Sequence, residues 1–251
     1  MQNNKVPKRG FSVKEFETRL SNAQKIMQVY QLDSLLLTTP HSIRYFTGYD
    51  SQFWESPSRP WFLVIPASSK PIAIVPEIGE SEFNKTWLDD IRTWPSPRPE
   101  DEGISLLKAT LEDLNKTHGN VGAEFGKEMA IRMPVKDLEK LKETINLNII
   151  DGSDALWDIR MVKTNAEIEH IKYICSIASD AYNQLPSKLA IGDTERDAVR
   201  KLKIDMLQKG ADSVPFMPGI SGEGGVSQIV CGPTDKMLNN GDILFIDTGS
   251  T

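Results

Sequence analysis

"TDKMLNNGDILFIDTGS", residues 234–250, decides how the second half of this chain is read. Ile243, Leu244, Phe245 and Ile246 are four apolar residues in succession, the pattern of a buried strand. Asp247 follows with no polar lead-in. An ionised carboxylate at such a place carries a large desolvation cost unless hydrogen bonds or a cation offset it. Three roles fit the pattern. Asp247 can bond its own backbone in a tight turn before Thr248–Gly249, it can ligate a metal, or it can act as a general acid or base. The local pattern leaves all three open.

Composition narrows the setting. With 251 residues, 39% hydrophobic and 25% charged, the chain is a globular protein with room for one large domain or two ordinary ones. A net charge of -6 and a pI near 5.2 argue against nucleic acid and against a membrane surface as partners. No apolar run approaches the length needed to span a bilayer. The N-terminal residues include lysines and an arginine but no apolar stretch after them, so they do not read as a secretory signal. Cys175 and Cys231 are too few for a disulfide framework and lack metal-site spacing. The cytoplasm is the expected compartment.

Working back from the quoted stretch to the start, the first clear element opens at "SVKE". Ser12 and Glu15 form a capping-box pattern, and Phe16, Leu20, Ala23, Met27 and Tyr30 recur at helical spacing behind it. "DSLLLTT" (33–39) reads as a buried strand, and the next ten residues as a short helix begun by Pro40 and ended near Gly48. "WFLVIP" and "PIAIVP" have hairpin spacing, with prolines bounding short strands. A helix is expected over "SEFNKTWLDD", a strand at "IRTWP", and a helix from Glu102 closed by Gly119. "NVGAEFG", a helix around "PVKDLEKLKETI" and "LNIID" complete an alternation of strand and helix. Such alternation predicts a mixed α/β domain with a mostly parallel core, ending near residues 151–158.

The following part differs. Thr164 and Glu167 form a second capping box, and Ile168, Ile171, Cys175, Ala178 and Tyr182 give one apolar face, with Cys175 expected in the core. Thr194 and Gly210 bound another helix. Beyond it, glycine and short apolar runs predict strands joined by tight loops. No internal repeat is present. This part ends within sheet-like sequence and without a closing helix, which reads as half a domain with an open edge.

Three motifs stand in order: "RMVKTNAEI" as R-x-x-K-x-x-x-E-I, then "GDTE", then D-[RK]-x-L-x-x-G-D running into four apolar residues and D-x-G. Together they resemble the pita-bread metallopeptidase family, whose members include prolidase, Xaa-Pro aminopeptidase and creatinase. The preceding α/β part resembles the creatinase/prolidase N-terminal domain. The likeness covers residues 12–251. It implies a creatinase/prolidase-like N-terminal domain over 1–157 and an incomplete α+β pita-bread catalytic domain over 158–251. It also implies two divalent ions, with Mn²⁺ expected and Co²⁺ or Zn²⁺ as alternatives, held by two aspartates, a histidine and two glutamates. Asp247 matches the first aspartate. Oxygen and imidazole donors suit those metals, and a two-metal site generates hydroxide at neutral pH. In the family the other four ligands lie C-terminal to D-x-G, so the resemblance implies a C-terminally truncated hydrolase, inactive as this chain alone.

One departure bears on substrate. The family's peptidases carry a histidine five residues before the aspartate of D-[RK]-x-L, and Val230 stands there. Creatinase-like hydrolysis, a lyase acting on dimethylsulfoniopropionate, and a metal-free pita-bread scaffold are therefore alternatives to a small peptide with proline at its second position. The aromatic loop 49–62 bears on substrate too. The resemblance implies a homodimer in which a loop of the N-terminal domain reaches the neighbouring site, and Trp54 and Arg59 suit an apolar ligand with a carboxylate. Ordinary packing of this proline-rich loop is the competing reading. The glycines of "SGEGG" (221–225) lack the lysine and strand–helix context of a phosphate loop and predict only a mobile connection. Arg160, Lys163 and Glu167 read as a structural charge cluster, and His41 and His170 as helix residues.

Overall fold

The "LLL" of the first predicted strand forms the middle of β1 (Ser34–Leu37), all four residues of which are buried. In this computed structural model, which describes residues 6–55, 59–114, 116–223, 228 and 231–251, the chain divides into two compact units, Lys8–Lys163 and Thr164–Thr251, residues 6–7 being grouped with the latter. The first unit runs α1 (Val13–Val29), β1, α2 (Pro40–Thr47), β2 (Phe62–Pro66), β3 (Ile72–Pro76), α3 (Glu80–Phe83), β4 (Asp90–Trp94), α4 (Ile104–Asp113), β5 (Asn120–Ala123), α5 (Val135–Thr144), β6 (Asn148–Asp151) and α6 (Ser153–Met161). Its sheet has the order β4-β3-β2-β1-β5-β6. β2 runs antiparallel to β1 and β3, and the remaining pairings are parallel.

Alternation along β1 builds three layers. Leu35 and Leu37 join the core under α1, α2 and α6, whereas Leu36 joins the core under α4 and α5. Strands covered on both faces read as continuous apolar runs, as β1, β2 and β3 do. Phe46 on one side and Phe62 on the other are fully buried, each worth about 1.5–3 kcal/mol in apolar transfer.

Local signals account for most element ends. The Ser12 hydroxyl accepts from the Glu15 amide at 3.3 Å. α2 begins at Pro40 and stops at Gly48, whose φ of +74° is left-handed. A β-carbon at Gly48 would also lie 2.8 Å from the Phe16 ring, so the turn needs glycine for conformation and for space. Other expectations change. The helix at "SEFNKTWLDD" shortens to α3, because Trp87 and Leu88 turn into the core and the Trp87 Nε1–H donates to the Phe46 carbonyl at 2.8 Å. α4 ends at Asp113 rather than at Gly119. The Asp33 carboxylate accepts from the amides of Thr117, His118 and Gly119 and draws them into the loop feeding β5. Burial pushes Asp33 toward the neutral acid, but these amides and that of Asn120 outweigh it and hold the carboxyl below its usual range. Tyr30 leaves the apolar face at the end of α1 and donates its hydroxyl to Asp158 at 2.7 Å.

The second unit contains α7 (Asn165–Lys188), α8 (Glu195–Gln208), β7 (Gly219–Glu223) and β8 (Asp242–Ile246). Both helices carry complete capping boxes, Thr164 with Glu167 and Thr194 with Asp197. Ile177, Ala181 and Leu185 of α7 pack with Val199, Leu202 and Met206 of α8. The predicted face of α7 is therefore rotated: Ile168 and Ile171 are exposed, and so is Cys175, which is no core thiol. α7 is apolar along two stripes sharing Ala178 and Tyr182, and α8 covers the one that periodicity did not favour. β8 is also less buried than its composition predicts, with Ile243 53% exposed, because β7 is its one strand partner among the described residues. The division between units falls after Lys163, beyond α6, whose Ala155, Leu156 and Ile159 lie in the first unit's core. No helix among the described residues is long and apolar enough to cross a membrane.

Glu124, directly after β5, is 1% exposed. One carboxylate oxygen accepts from the Thr38 amide at 2.7 Å, the Thr39 amide at 3.1 Å and the Thr38 hydroxyl at 3.2 Å. The other accepts from the Thr39 and Ser42 hydroxyls at 2.6 and 2.7 Å. This ties the ends of β1 and β5 to the first turn of α2. Glu124→Ala leaves these buried donors without their acceptor, and about 3 kcal/mol or more of the first unit's stability should be lost. Tryptophan-monitored urea unfolding reads this directly, since all five tryptophans lie between Lys8 and Lys163.

Candidate functional site

The motifs "GDTE" and "TDKML", some forty residues apart in sequence, are joined by hydrogen bonds in the second unit. Glu195 is 1% exposed at the start of α8. Its Oε1 accepts from the Ser221 amide at 2.6 Å and hydroxyl at 2.9 Å, and its Oε2 accepts from the Thr234 amide at 3.0 Å and hydroxyl at 2.7 Å. Burial alone would raise the Glu195 pKa, but the Thr234 and Ser221 hydrogen bonds prevail and hold it below the usual carboxylate range. The Glu195 amide in turn donates to the Lys236 carbonyl, and the Leu238 amide to the Asp193 carbonyl. Lys236 Nζ donates to the Ser221 carbonyl at 2.5 Å. A glycine is required where β7 crosses α8, since a β-carbon at Gly219 would meet Val199 at 2.5 Å.

This frame fixes the antiparallel β7–β8 ribbon, with Gly219 opposite Ile246 and Glu223 opposite Asp242. Asp247 leaves the end of β8. Its amide donates to the Pro218 carbonyl at 3.2 Å, and the Gly249 amide donates to the Phe216 carbonyl at 2.9 Å. The D-x-G turn is thereby clamped to residues 216–218. One Asp247 oxygen accepts from the Thr248 amide at 2.8 Å, as the turn role predicts, and the other has no hydrogen-bond partner among the described residues. Asp247 is exposed, so its carboxylate escapes the desolvation cost expected for a buried strand end. Tyr182 donates to the Ile246 carbonyl at 2.9 Å, and burial, then the Asp247 charge, raises its pKa. Asp247 with its unpartnered oxygen fits as one ligand of a divalent ion. No group of three or more histidine, cysteine or acidic side chains placed to hold a metal is present among the described residues.

The other two predicted site residues lie in the first unit. Trp54 is 6% exposed, edge-on to Tyr49 and Trp61 at 5.4 Å from each, with its Nε1–H donated to Asp50 at 3.2 Å. Its side chain packs into the aromatic core. Arg59 is half-buried and lines a cavity of about 350 Å³ with Thr38, Trp61, Ile131, Arg132 and Met133. Nothing in the sequence marked Arg132, which lies in an unpatterned loop, whereas Glu195 stood in a quoted motif without a role. His41 lies in α2 and His170 in α7. Arg160 stands over the Tyr45 ring, Lys163 donates to the Met161 carbonyl, and Glu167 completes its helix cap. Val230 and Gly224–Gly225 fall outside the described residues.

A mixed sheet between helix layers, followed in sequence by a helix pair and a β-ribbon ending in D-x-G, defines a creatinase/prolidase-type N-terminal domain and the beginning of a pita-bread domain. The chain belongs to that family: residues 19–162 match the creatinase/prolidase N-terminal domain, and residues 169–251 match metallopeptidase family M24. It is 23% identical to the probable dipeptidase PepE of Mycobacterium tuberculosis over 97% of this chain and 62% of the relative. It is 25% identical to the Xaa-Pro dipeptidase of Pyrococcus furiosus over 92% of this chain and 60% of the relative. The chain thus spans about three fifths of these relatives' length. In fold it superposes on dipeptidase PepE from Mycobacterium ulcerans with a TM-score of 0.78 at 22% identity, covering 96% of this chain and 62% of that one. For the prolidase from Pyrococcus horikoshii the TM-score is 0.71 at 21% identity, with 93% and 60% covered.

The depressed Glu195 pKa sets a direction with pH. The ionised, hydrogen-bonded form is favoured in the folded state, so its stabilisation is complete above the unfolded carboxylate pKa and is lost as pH falls through the folded value. Protection of the Ser221 and Thr234 amides against hydrogen exchange, taken relative to the intrinsic rate at each pH, should therefore fall as pH drops below the usual carboxylate range. In Glu195→Gln, exchange at both amides should already be fast at neutral pH, with a much weaker dependence on acid.

Proposed function

We propose that this chain is part of a cytoplasmic, dimeric, metal-dependent hydrolase of the Xaa-Pro peptidase type. The observation that carries the reading is Asp247. It is the D-x-G aspartate, clamped by the turn to residues 216–218, and it retains one carboxylate oxygen without a partner among the described residues. The match of the second unit to the M24 metallopeptidases and the curated Xaa-Pro dipeptidase relatives support it. Divalent ions, Mn²⁺ first, with Co²⁺ or Zn²⁺ as alternatives, would supply Lewis-acid activation at neutral pH.

The chain's own residues have three tasks in this reading. Asp247 holds a cation, and the Thr248 amide orients its carboxylate. Glu195 and Lys236 keep the ribbon in register so that the aspartate stays at the end of β8. In the first unit, Arg59 is assigned to the carboxylate end of a small peptide, and buried Trp54 to positioning the loop that carries it. The substrate class is a short peptide with proline at its second position.

The test uses a chain carrying the relatives' full length, incubated with Mn²⁺ and Xaa-Pro dipeptides. Turnover is expected. Asp247→Ala should weaken metal binding by more than the roughly 10–100-fold typical of an outer-shell change, and should abolish turnover. Undiminished binding of two metal ions by Asp247→Ala removes the ligand assignment. Metal binding without turnover removes the peptidase reading.

A further inference from the structure

The peptide unit that joins Ile246 to Asp247 is held from two sides. Its N–H donates to the Pro218 carbonyl at 3.2 Å, and its C=O accepts from the Tyr182 hydroxyl at 2.9 Å. The first bond comes from the ribbon and the second from α7. In an antiparallel pair, the polar groups of alternate residues face the partner strand, and those of the residues between face away. Asp247 bonds toward β7, and its neighbour Ile246 lies opposite Gly219. The Ile246 carbonyl therefore points to the other edge of β8, where no strand pairs with it among the described residues. Tyr182 takes the place a strand would have.

The β7 side cannot do this alone. A hydrogen-bonded antiparallel pair exchanges two bonds, but residue 218 is proline and has no N–H to give. One bond from Pro218 and one from Tyr182 thus fix the plane from which the Asp247 side chain departs. The phenol is anchored for this task. Tyr182 packs against the cluster that contains Ile177, Leu185, Val199 and Leu202, and its hydroxyl is a proton donor at neutral pH. Phenylalanine would fill the same space. Only the hydroxyl reaches the Ile246 carbonyl.

We infer that Tyr182 is a positioning residue: by holding the Ile246 carbonyl it sets the direction in which the Asp247 carboxylate is presented to a divalent cation. This deepens the hydrolase reading and rests on it, since it takes Asp247 as a metal ligand. It adds a residue from α7 that lies 64 positions before the carbonyl it binds and outside all three quoted motifs. Hydrogen bonds outside the ligand shell orient the ligands, and losing one typically costs about 10–100-fold in metal affinity.

The test separates hydroxyl from ring. Tyr182→Phe removes the hydrogen bond and keeps the packing, whereas Tyr182→Leu removes both. In the whole chain without added metal, protection of the Asp247 amide against hydrogen exchange should fall about fivefold in Tyr182→Phe. The amides of Leu202 and Met206 in α8 should keep theirs, which marks a local loosening rather than a weaker fold. In a chain carrying the relatives' full length, Mn²⁺ titrated by calorimetry should bind about tenfold more weakly to Tyr182→Phe than to the unaltered protein. Tyr182→Leu should bind no better than Tyr182→Phe. Full Mn²⁺ affinity in Tyr182→Phe, or an unchanged Asp247 amide, would make the ring a packing group and overturn the assignment. In that case a loss of Mn²⁺ binding in Asp247→Ala still upholds the hydrolase reading. Full affinity in Asp247→Ala overturns both, whatever the exchange rates show.

Discussion

Five donors converge on the Glu124 carboxylate, and through it the first unit acquires its defining crossing. The carboxylate comes from the end of β5, and its donors come from the end of β1 and the first turn of α2. A buried charge is tolerable only when hydrogen bonds replace its water, so these neighbouring groups must stay where they are. The consequence is a rigid crevice where the chain departs to opposite sides of the sheet. The Arg132 amide is tied to the same Thr38 hydroxyl that serves Glu124, so the cavity wall inherits that rigidity.

The second unit repeats the device with Glu195. There a buried carboxylate gathers the middle of β7, at Ser221, and the loop residue Thr234 onto the start of a helix. Motifs far apart in sequence become one frame, and the frame holds the ribbon from which Asp247 projects. In both units the buried acid acts as a structural tie, and the residues assigned chemical tasks, Asp247 in one and Arg59 in the other, are left solvent-accessible. This division of labour follows from energetics: a carboxylate with every lone pair satisfied by protein has nothing left to offer a ligand.

Much of this was legible in the residues. The capping residues Ser12, Thr164 and Thr194 mark helix starts because their hydroxyls satisfy amides that no other local group can reach. Gly48 and Pro40 bound α2 through backbone restrictions that act locally. Continuous apolar runs located the strands covered on both faces. The failures share a cause. α3 stops early and α4 stops before Gly119 because Trp87 is drawn into the core and Asp33 captures three amides, both contacts across long stretches of chain. Periodicity puts Cys175 in the core because α7 carries two apolar stripes, and nothing local says which one α8 covers.

The sequence by itself determined the order of elements, the family motifs and the D-x-G aspartate, since each depends on residues close together or at fixed spacing. Only the tertiary structure decided the face on which α7 is buried, the exposure of Asp247, the burial of Trp54, and the placing of Arg59 and Arg132 on one cavity. Those outcomes depend on which surfaces pack together, and packing partners tens of residues apart leave no local trace in composition or period.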